Sequence, residues 1–406
     1  MENFNTDNLI SQLFKKETQK YSNSNNPELS IILPCRNEQE ALPHVLNQIK
    51  RTIQDNKINA EIIISDSSSD NSIKIIKQFA QNNPHQLKIK VIKHNKVGYG
   101  NAYLEAFPHV KAPYLFIADC DGTYNFEEIP NFLNALKQNY DFVIGNRFAY
   151  KLEKNTMPLS HKYIGNPILS GLLRLFYGTS VKDSHCGMRA IKKQALEKLN
   201  LKTTGMEFAS EMVIKALKNN LKIKQLPIHY HKRIGKSKLN TMTDGWRHLR
   251  FMLLYSPLFL FFIPGFALFL MGITTLFWFY FSNPTFFGIT FYTHPMFISA
   301  LLTIIGYQLI IFSVFAKTYA ITHLNEKSPL ENIYKHLTIE KASTLGLILS
   351  LTGLMIFILI LYKWINSGLG DLNQIKNAVL GLTLLTIGIQ TIFSSFMLSI
   401  LGIKER

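Results

Sequence analysis

The chain has 406 residues, a formal net charge of +17 and 47% hydrophobic residues, which is too long for one ordinary domain. A basic excess of this size points to nucleic acid, an anionic membrane surface or an anionic substrate, and the long apolar runs near the end favour the last two. Three cysteines, Cys35, Cys120 and Cys186, stand far apart with no paired metal-ligand spacing, which argues against disulfides and a zinc site.

Residues 1–28 form a polar extension rich in Asn, Lys and Gln without the apolar centre of a signal peptide, so the catalytic part is expected in the cytoplasm. Residues 29–240 alternate strand and helix signals. Strands are expected at 29–33 (closed by Pro34), 60–65, 87–92, 114–118 and 141–144. Helices are expected at 38–53, where Ala41, Leu42, Val45, Leu46 and Ile49 are helically spaced, and at 71–80, 98–107 and 126–136. This alternation predicts a mainly parallel sheet with right-handed crossovers, and the nearly continuous apolar runs predict a sheet covered on both faces. Residues 241–256 read as an interfacial amphipathic helix, with Trp246, Arg247, His248 and Arg250 beside Phe251, Met252 and Leu253.

Residues 257–406 form a transmembrane domain. Four runs, 257–281, 295–316, 343–362 and 378–403, each reach the roughly 20 residues that crossing a bilayer needs. The connection 282–294 has no Lys or Arg, whereas the next carries Lys317, Lys327, Lys335 and Lys341, and the chain ends Lys404-Glu405-Arg406. The positive-inside rule then places the second connection and the tail in the cytoplasm.

The chemistry concentrates in Tyr114-Leu115-Phe116-Ile117-Ala118-Asp119-Cys120-Asp121-Gly122. Two carboxylates stand at the carboxyl end of a buried strand, where open α/β sheets bind ligands. They repel each other unless a cation lies between them, and a divalent ion that also grips a diphosphate satisfies both needs. A plain polar turn after a strand is the alternative. No GxGxxG follows the first strand and no GxxxxGK[ST] occurs. Gly98-Tyr99-Gly100 serves either close backbone approach at a helix N-terminus near a diphosphate, or a tight turn. Pro34, Arg36, Glu38, Asp66, Asp70, Asp119 and Asp121 all fall at strand carboxyl ends or in the loops after them, on one edge of the sheet.

Three blocks carry a resemblance: Ile31-Ile32-Leu33-Pro34-Cys35-Arg36-Asn37-Glu38, Ile64-Ser65-Asp66-Ser67-Ser68-Ser69-Asp70 and Asp119-Cys120-Asp121. In this order and spacing, over about residues 28–240, the chain resembles family-2 glycosyltransferases. Gly145-Asn146-Arg147-Phe148, Asp183-Ser184-His185-Cys186-Gly187-Met188-Arg189-Ala190 and Arg233-Ile234-Gly235-Lys236-Ser237-Lys238 are similar to the dolichyl-phosphate mannose or glucose synthase type. The Gln-x-x-Arg-Trp signature of processive polymer synthases is missing. Arg36 stands where the family commonly has Tyr, and Thr123 where it has Gln.

The resemblance implies an A-type glycosyltransferase domain (a Rossmann-like mixed sheet) followed by an α-helical transmembrane domain of four helices. It implies an inverting transfer of one hexose from a UDP- or GDP-linked sugar to membrane polyprenyl phosphate. Pro34, Arg36, Glu38, Asp66 and Asp119 would then bind the nucleotide sugar, and Asp119 and Asp121 would hold Mg2+ or Mn2+ on its diphosphate. Arg147, His161, Lys162, Arg233, Lys236, Ser237 and Lys238 would bind the acceptor phosphate, with Asp119, Asp121 and Arg147 as the catalytic set. A lipid phosphate is already anionic near neutral pH, so no strong base is needed. The site must instead hold two anions together, which calls for fixed cations. Asp183 is read as orienting sugar hydroxyls or an arginine such as Arg189, or as a cap. Glu207 opens a helix, and His229 and His231 share one side of an apparent strand in a structural role. Direct transfer to a lipid or glycan hydroxyl is the competing enzymatic reading. A transport or flippase subunit is disfavoured, because the spans hold almost no ionisable residues.

Overall fold

The computed structural model describes residues 26–84, 87–152, 156–235, 241–323, 339–370 and 372–402. The chain forms two compact units, Met1–Met252 and Leu253–Arg406.

The first unit is built on seven strands: β1 (Leu29–Cys35), β2 (Ala60–Asp66), β3 (Lys88–Lys93), β4 (Tyr114–Ile117), β5 (Phe142–Asn146), β6 (Arg189–Lys192) and β7 (Ile223–Pro227). Their spatial order is β3-β2-β1-β4-β6-β5-β7. All neighbours are parallel except β6, which runs antiparallel to both β4 and β5. The five expected strands are present, but the sheet is mixed and β6 and β7 carry no clear apolar signal. β6 is the four residues Arg-Ala-Ile-Lys, opening on a charge. β7, Ile-Lys-Gln-Leu-Pro, sets Lys and Gln side by side at a half-buried edge. The expected strand through His229 and His231 is absent; Tyr230 makes only an isolated bridge to Tyr124.

Helices α1 (Leu42–Asp55), α2 (Ser72–Asn82), α3 (Tyr99–Ala106) and α4 (Ile129–Lys137) follow β1 to β4. They are joined by α5 (Asn166–Tyr177), α6 (Lys193–Leu199), α7 (Phe208–Lys218) and α8 (Thr241–Leu254). Strand β2 is buried along its whole length in spite of Glu61 and Asp66. Glu61 is satisfied, accepting from Ser30 Oγ at 2.5 Å and from the Lys111 N–H at 2.9 Å. Asp66, the last residue of the strand, is not. The strand order reverses between β1 and β4, so the crevice past their carboxyl ends is the natural ligand position.

The second unit contains α9 (Ile263–Phe281), α10 (His294–His323), α11 (Ile339–Asn366) and α12 (Ile375–Gly402). Among the described residues four helical segments are long and apolar enough to cross a membrane, Leu258–Phe281, His294–Thr322, Ile339–Asn366 and Ile375–Gly402, each overlapping an expected span, the first almost residue for residue and the two middle ones longer than expected. Helices α11 and α12 approach backbone to backbone. A Cβ added at Gly346 would stand 2.7 Å from the Gly388 carbonyl, and one at Gly353 equally close to that of Gly381. Small residues at helix crossings are what packing in lipid favours.

Candidate active site

The apolar run of β4 carries the chain into the crevice, and Asp119 and Asp121 follow it directly. Gly122 turns the backbone with φ of 80°, and a Cβ there would stand 2.7 Å from Ile234 Cδ1. Asp121 is fixed by its own loop, since the Thr123 N–H and hydroxyl both donate to Oδ1, at 3.0 and 2.5 Å. The segment after β7 is laced to this loop. His231 N–H donates to the Thr123 carbonyl at 2.8 Å and Ile234 N–H to the Asp121 carbonyl at 2.9 Å. The lacing brings Arg233 among the acids, Nη1 3.1 Å from Asp121 Oδ2 and Nη2 2.5 Å from Glu38 Oε1.

Asp119 faces Asp121 without a fixed cation of its own. Burial first, and then the neighbouring Asp121 charge, push its carboxyl up to about 7, against the pull of Arg233, a hydrogen bond with Tyr99 and Arg147. Gly187 closes over the same carboxylate: a Cβ there would stand 2.6 Å from Asp119 Oδ2. Among the described residues no three His, Cys, Asp or Glu side chains gather as a metal cage. The donor set is therefore two carboxylates, which suits Mg2+ or Mn2+ completing its shell with diphosphate and water.

The nucleotide-sugar candidates lie along the same edge. Asp66 is fully buried, and neither of its carboxylate oxygens has a partner, a costly arrangement for a charged group. Pro34 accepts from Cys120 Sγ at 2.9 Å, tying the ends of β1 and β4 together. Glu38 is held by Arg233 through its side chain and by Ser72 Oγ through its N–H. Arg36 is exposed at the rim. Asp70 is structural here, accepting from the Ser72 and Gln39 N–H groups at 2.9 and 3.3 Å.

The cations differ from expectation in one respect. Arg147 is buried and forms a two-bond fork with Asp183, Nε to Oδ2 and Nη2 to Oδ1, both 2.8 Å. Its guanidinium also lies 5.4 Å from the Tyr230 ring centre. Asp183 thus orients Arg147, not Arg189, and the bidentate partner of Arg147 is a carboxylate. Arg189, almost fully buried, instead donates to the carbonyls of Cys186, Ala209 and Ser184 at 2.7, 2.9 and 2.9 Å. Lys162 stacks 5.2 Å from the Tyr163 ring centre. Lys236, Ser237 and Lys238 lie outside the described residues, as does the side chain of His161. Glu207 has one buried carboxylate oxygen without a partner.

The Gly98–Gly100 stretch also differs. Gly100 and Asn101 N–H groups, at the start of α3, donate to the Gly205 and Thr204 carbonyls at 3.2 and 3.1 Å. A Cβ at either glycine would collide with the Thr203–Thr204 backbone. The close approach is to another loop, so this helix N-terminus is not left to a diphosphate. Sequence reasoning missed Tyr99, placed by these glycines against Asp119, and the chain of bonds from Ser184 through His185 and Ser210 to His248. In that chain His185 Nδ1 is 2.9 Å from Ser184 Oγ, His185 Nε2 is 3.1 Å from Ser210 Oγ, and Ser210 Oγ is 2.8 Å from His248 Nδ1. Burial holds both imidazoles well below their ordinary range, His248 at about 4.

Residues 30–200 match the family model described as glycosyl transferase family 2, and residues 314–402 match its C-terminal transmembrane region model. The low-salt glycan biosynthesis hexosyltransferase Agl6 of Haloferax volcanii is 35% identical over 380 residues, covering 93% of this chain and 89% of that protein. A dolichyl-phosphate hexose transferase from the same organism is 30% identical over 54% of this chain and 89% of its own length. The dolichol-phosphate mannosyltransferase of Pyrococcus furiosus is 27% identical over 55% of this chain and 62% of its own. With a full-length relative of this similarity, a mixed sheet that gathers acids at its switch point and four apolar helices after it, the chain is a glycosyltransferase and belongs to glycosyltransferase family 2.

Proposed function

We propose that this enzyme transfers one hexose, with inversion, from a UDP- or GDP-linked sugar to the phosphate of a membrane polyprenyl lipid, working from the cytoplasmic face. The observation that carries the reading is the pair Asp119 and Asp121 beside the unpartnered Asp66 at the point where the strand order reverses. Asp66 accepts from the nucleoside, whose N–H or O–H donors satisfy its orphaned oxygens. Asp119 and Asp121 hold Mg2+ or Mn2+, which when bound neutralises charge on the departing nucleoside diphosphate. The names of the two dolichol-linked relatives support the acceptor class.

An acceptor phosphate oxygen attacks the anomeric carbon as the bond to the nucleoside diphosphate breaks. That oxygen is already anionic, so the residues around it act by position and charge. Asp183 locks the Arg147 guanidinium, taking two of its five N–H donors and leaving its charge in the site. Arg233 bridges Glu38 and Asp121, and Lys236, Ser237 and Lys238 follow it closely in sequence. With His161 and Lys162 these are the acceptor-phosphate candidates.

The test is purified full-length protein in lipid nanodiscs, given polyprenyl phosphate, Mg2+ and UDP- or GDP-linked glucose, mannose and N-acetylhexosamines. One donor should release nucleoside diphosphate and yield an acid-labile glycolipid. Product formed only when a lipid or glycan hydroxyl replaces the phosphate would overturn the acceptor assignment.

A further inference from the structure

Asp183 stands on the segment between α5 and β6, outside helix and sheet, so side-chain bonds largely set its place. Its neighbour Ser184 is held from several directions. The Ser184 N–H donates to Ser170 Oγ on α5 at 3.3 Å, its carbonyl accepts from Arg189 Nη2 at 2.9 Å, and its hydroxyl meets His185 Nδ1 at 2.9 Å. Beyond the imidazole, His185 Nε2 meets Ser210 Oγ on α7 at 3.1 Å, and that hydroxyl meets His248 Nδ1 on α8 at 2.8 Å. A row of side chains thus runs from beside Asp183 to the last helix of the first unit.

The row is built as a brace. Ser184 and Ser210 are fully buried and His248 nearly so, and burial keeps both imidazoles neutral near pH 7. A neutral imidazole has one N–H and one bare nitrogen, so of the two hydroxyls on His185 one accepts and the other donates. Losing either leaves a buried nitrogen unpaired. The two rings also lie edge to face, 4.4 Å between centres, so they shift together. At the near end the Asp183 carboxylate forks onto Arg147 Nε and Nη2, and it accepts the Arg147 backbone N–H at 3.0 Å just past β5. The guanidinium is aimed by a carboxylate whose own segment is held from α5, α7 and α8, the kind of support that keeps a site group within a fraction of an ångström of its working place.

We propose that His185 and His248 are positioning residues for Arg147, acting through Ser184 and Asp183, so that α8 holds the buried guanidinium of the site on target. Neither imidazole acts by touching substrate. The consequence for catalysis rests on the reading of Arg147 as an acceptor-phosphate group; the brace itself does not.

The first test needs no turnover. In full-length protein carrying isotope-labelled arginine, in nanodiscs without substrate, the Arg147 Nε–H is identified by the signal lost in Arg147→Lys, and its exchange with water reports how tightly the fork is held. His248→Phe keeps a ring in place and deletes Nδ1, and should quicken that exchange about 3- to 10-fold, the worth of one hydrogen bond. His248→Asn, which returns a polar atom at the Nδ1 position, should restore it. Ser184→Ala should act at least as strongly as His248→Phe, and the double variant no more strongly than Ser184→Ala alone. Native exchange in a folded His248→Phe overturns the proposal, as do effects of the two substitutions that add, which would make them separate local defects. Ser210→Ala cuts the same row and carries the same prediction should His248→Phe fail to fold. Initial rates then test the consequence: His248→Phe should raise the KM for polyprenyl phosphate by a similar factor and leave the KM for the nucleotide sugar unchanged. An acceptor KM that stays native while the exchange quickens overturns the link to catalysis. A native chain that forms no product with polyprenyl phosphate overturns the acceptor reading instead, and leaves the exchange result standing.

Discussion

Replacing Gly187 by Ala pushes a methyl group against the acid pair. Its Cβ would stand 2.6 Å from Asp119 Oδ2 and 3.0 Å from the Tyr124 hydroxyl, whereas ordinary contacts begin at 3.4 Å, so a neighbour must yield by about 0.8 Å. Gly187 is not among the positive-φ glycines, so Ala meets no backbone strain and the effect is steric. The Tyr124 side cannot easily give way, because its hydroxyl accepts the Gly187 N–H at 2.7 Å and its ring packs on Tyr230. The Asp119 carboxylate is the softer partner. Misplacing a group near the chemistry by about 1 Å costs about 100-fold, or about 2.7 kcal/mol of transition-state stabilisation. Initial rates of nucleoside diphosphate release at saturating donor measure it, with thermal unfolding followed in parallel. Gly187→Ala should fold with a nearly native Tm and lose about two decades of kcat. A folded variant turning over at the native rate would refute the idea that this glycine exists to make room for Asp119.

Asp183→Asn strips the counter-charge from a buried guanidinium, and should cost about 3–5 kcal/mol in denaturant unfolding; unchanged stability would mean that Arg147 is solvated. Asp66→Asn exchanges a buried, unpartnered carboxylate for a neutral amide of the same shape, so it should leave the stability of the fold unreduced while weakening nucleotide binding by calorimetry. A loss of stability would contradict this. For His248, burial, and secondarily Arg189, keep the folded imidazole neutral down to about pH 4, against 6.5 when unfolded. Between those values the unfolded chain takes up a proton that the fold excludes, so stability falls as pH falls. The loss approaches about 3 kcal/mol near pH 4 from this residue, and His248→Phe should flatten part of the slope; an unaltered pH profile of Tm would count against it.

Of the strands that announced themselves, β1, β2, β4 and β5 are largely buried, and their runs of Ile, Leu, Val and Phe leave one reading of the period, whereas β3, Lys-Ile-Lys-Val-Ile-Lys, is a half-exposed edge strand that mixes Lys with apolar residues. β6 escaped because its burial is achieved by Arg189 feeding three carbonyls, and no local pattern distinguishes that arginine from a surface one. The acids Asp66, Asp119 and Asp121 were legible because each ends an apolar strand. Arg147 was legible as a cation at the end of a buried strand but neither its burial nor its partner was, since Asp183 lies 36 residues away in sequence. Glycine spacing at Gly98 and Gly100 correctly signalled a close backbone approach. What it approaches, the Thr203–Gly205 loop, is a long-range packing fact. Serine and histidine at 184, 185, 210 and 248 are each unremarkable alone, and only the packing of α7 against α8 joins them.

The claim on which the mechanism depends is that Asp119 and Asp121 hold a divalent cation on the donor diphosphate. Manganese paramagnetic resonance on the full-length protein in nanodiscs measures it without turnover, by the fall in free Mn2+ signal as UDP or GDP is added. The native chain should remove far more Mn2+ from solution with nucleotide than without it, and Asp119→Asn and Asp121→Asn should leave the signal where nucleotide alone leaves it. Equal Mn2+ uptake by folded variants and native protein would contradict the account.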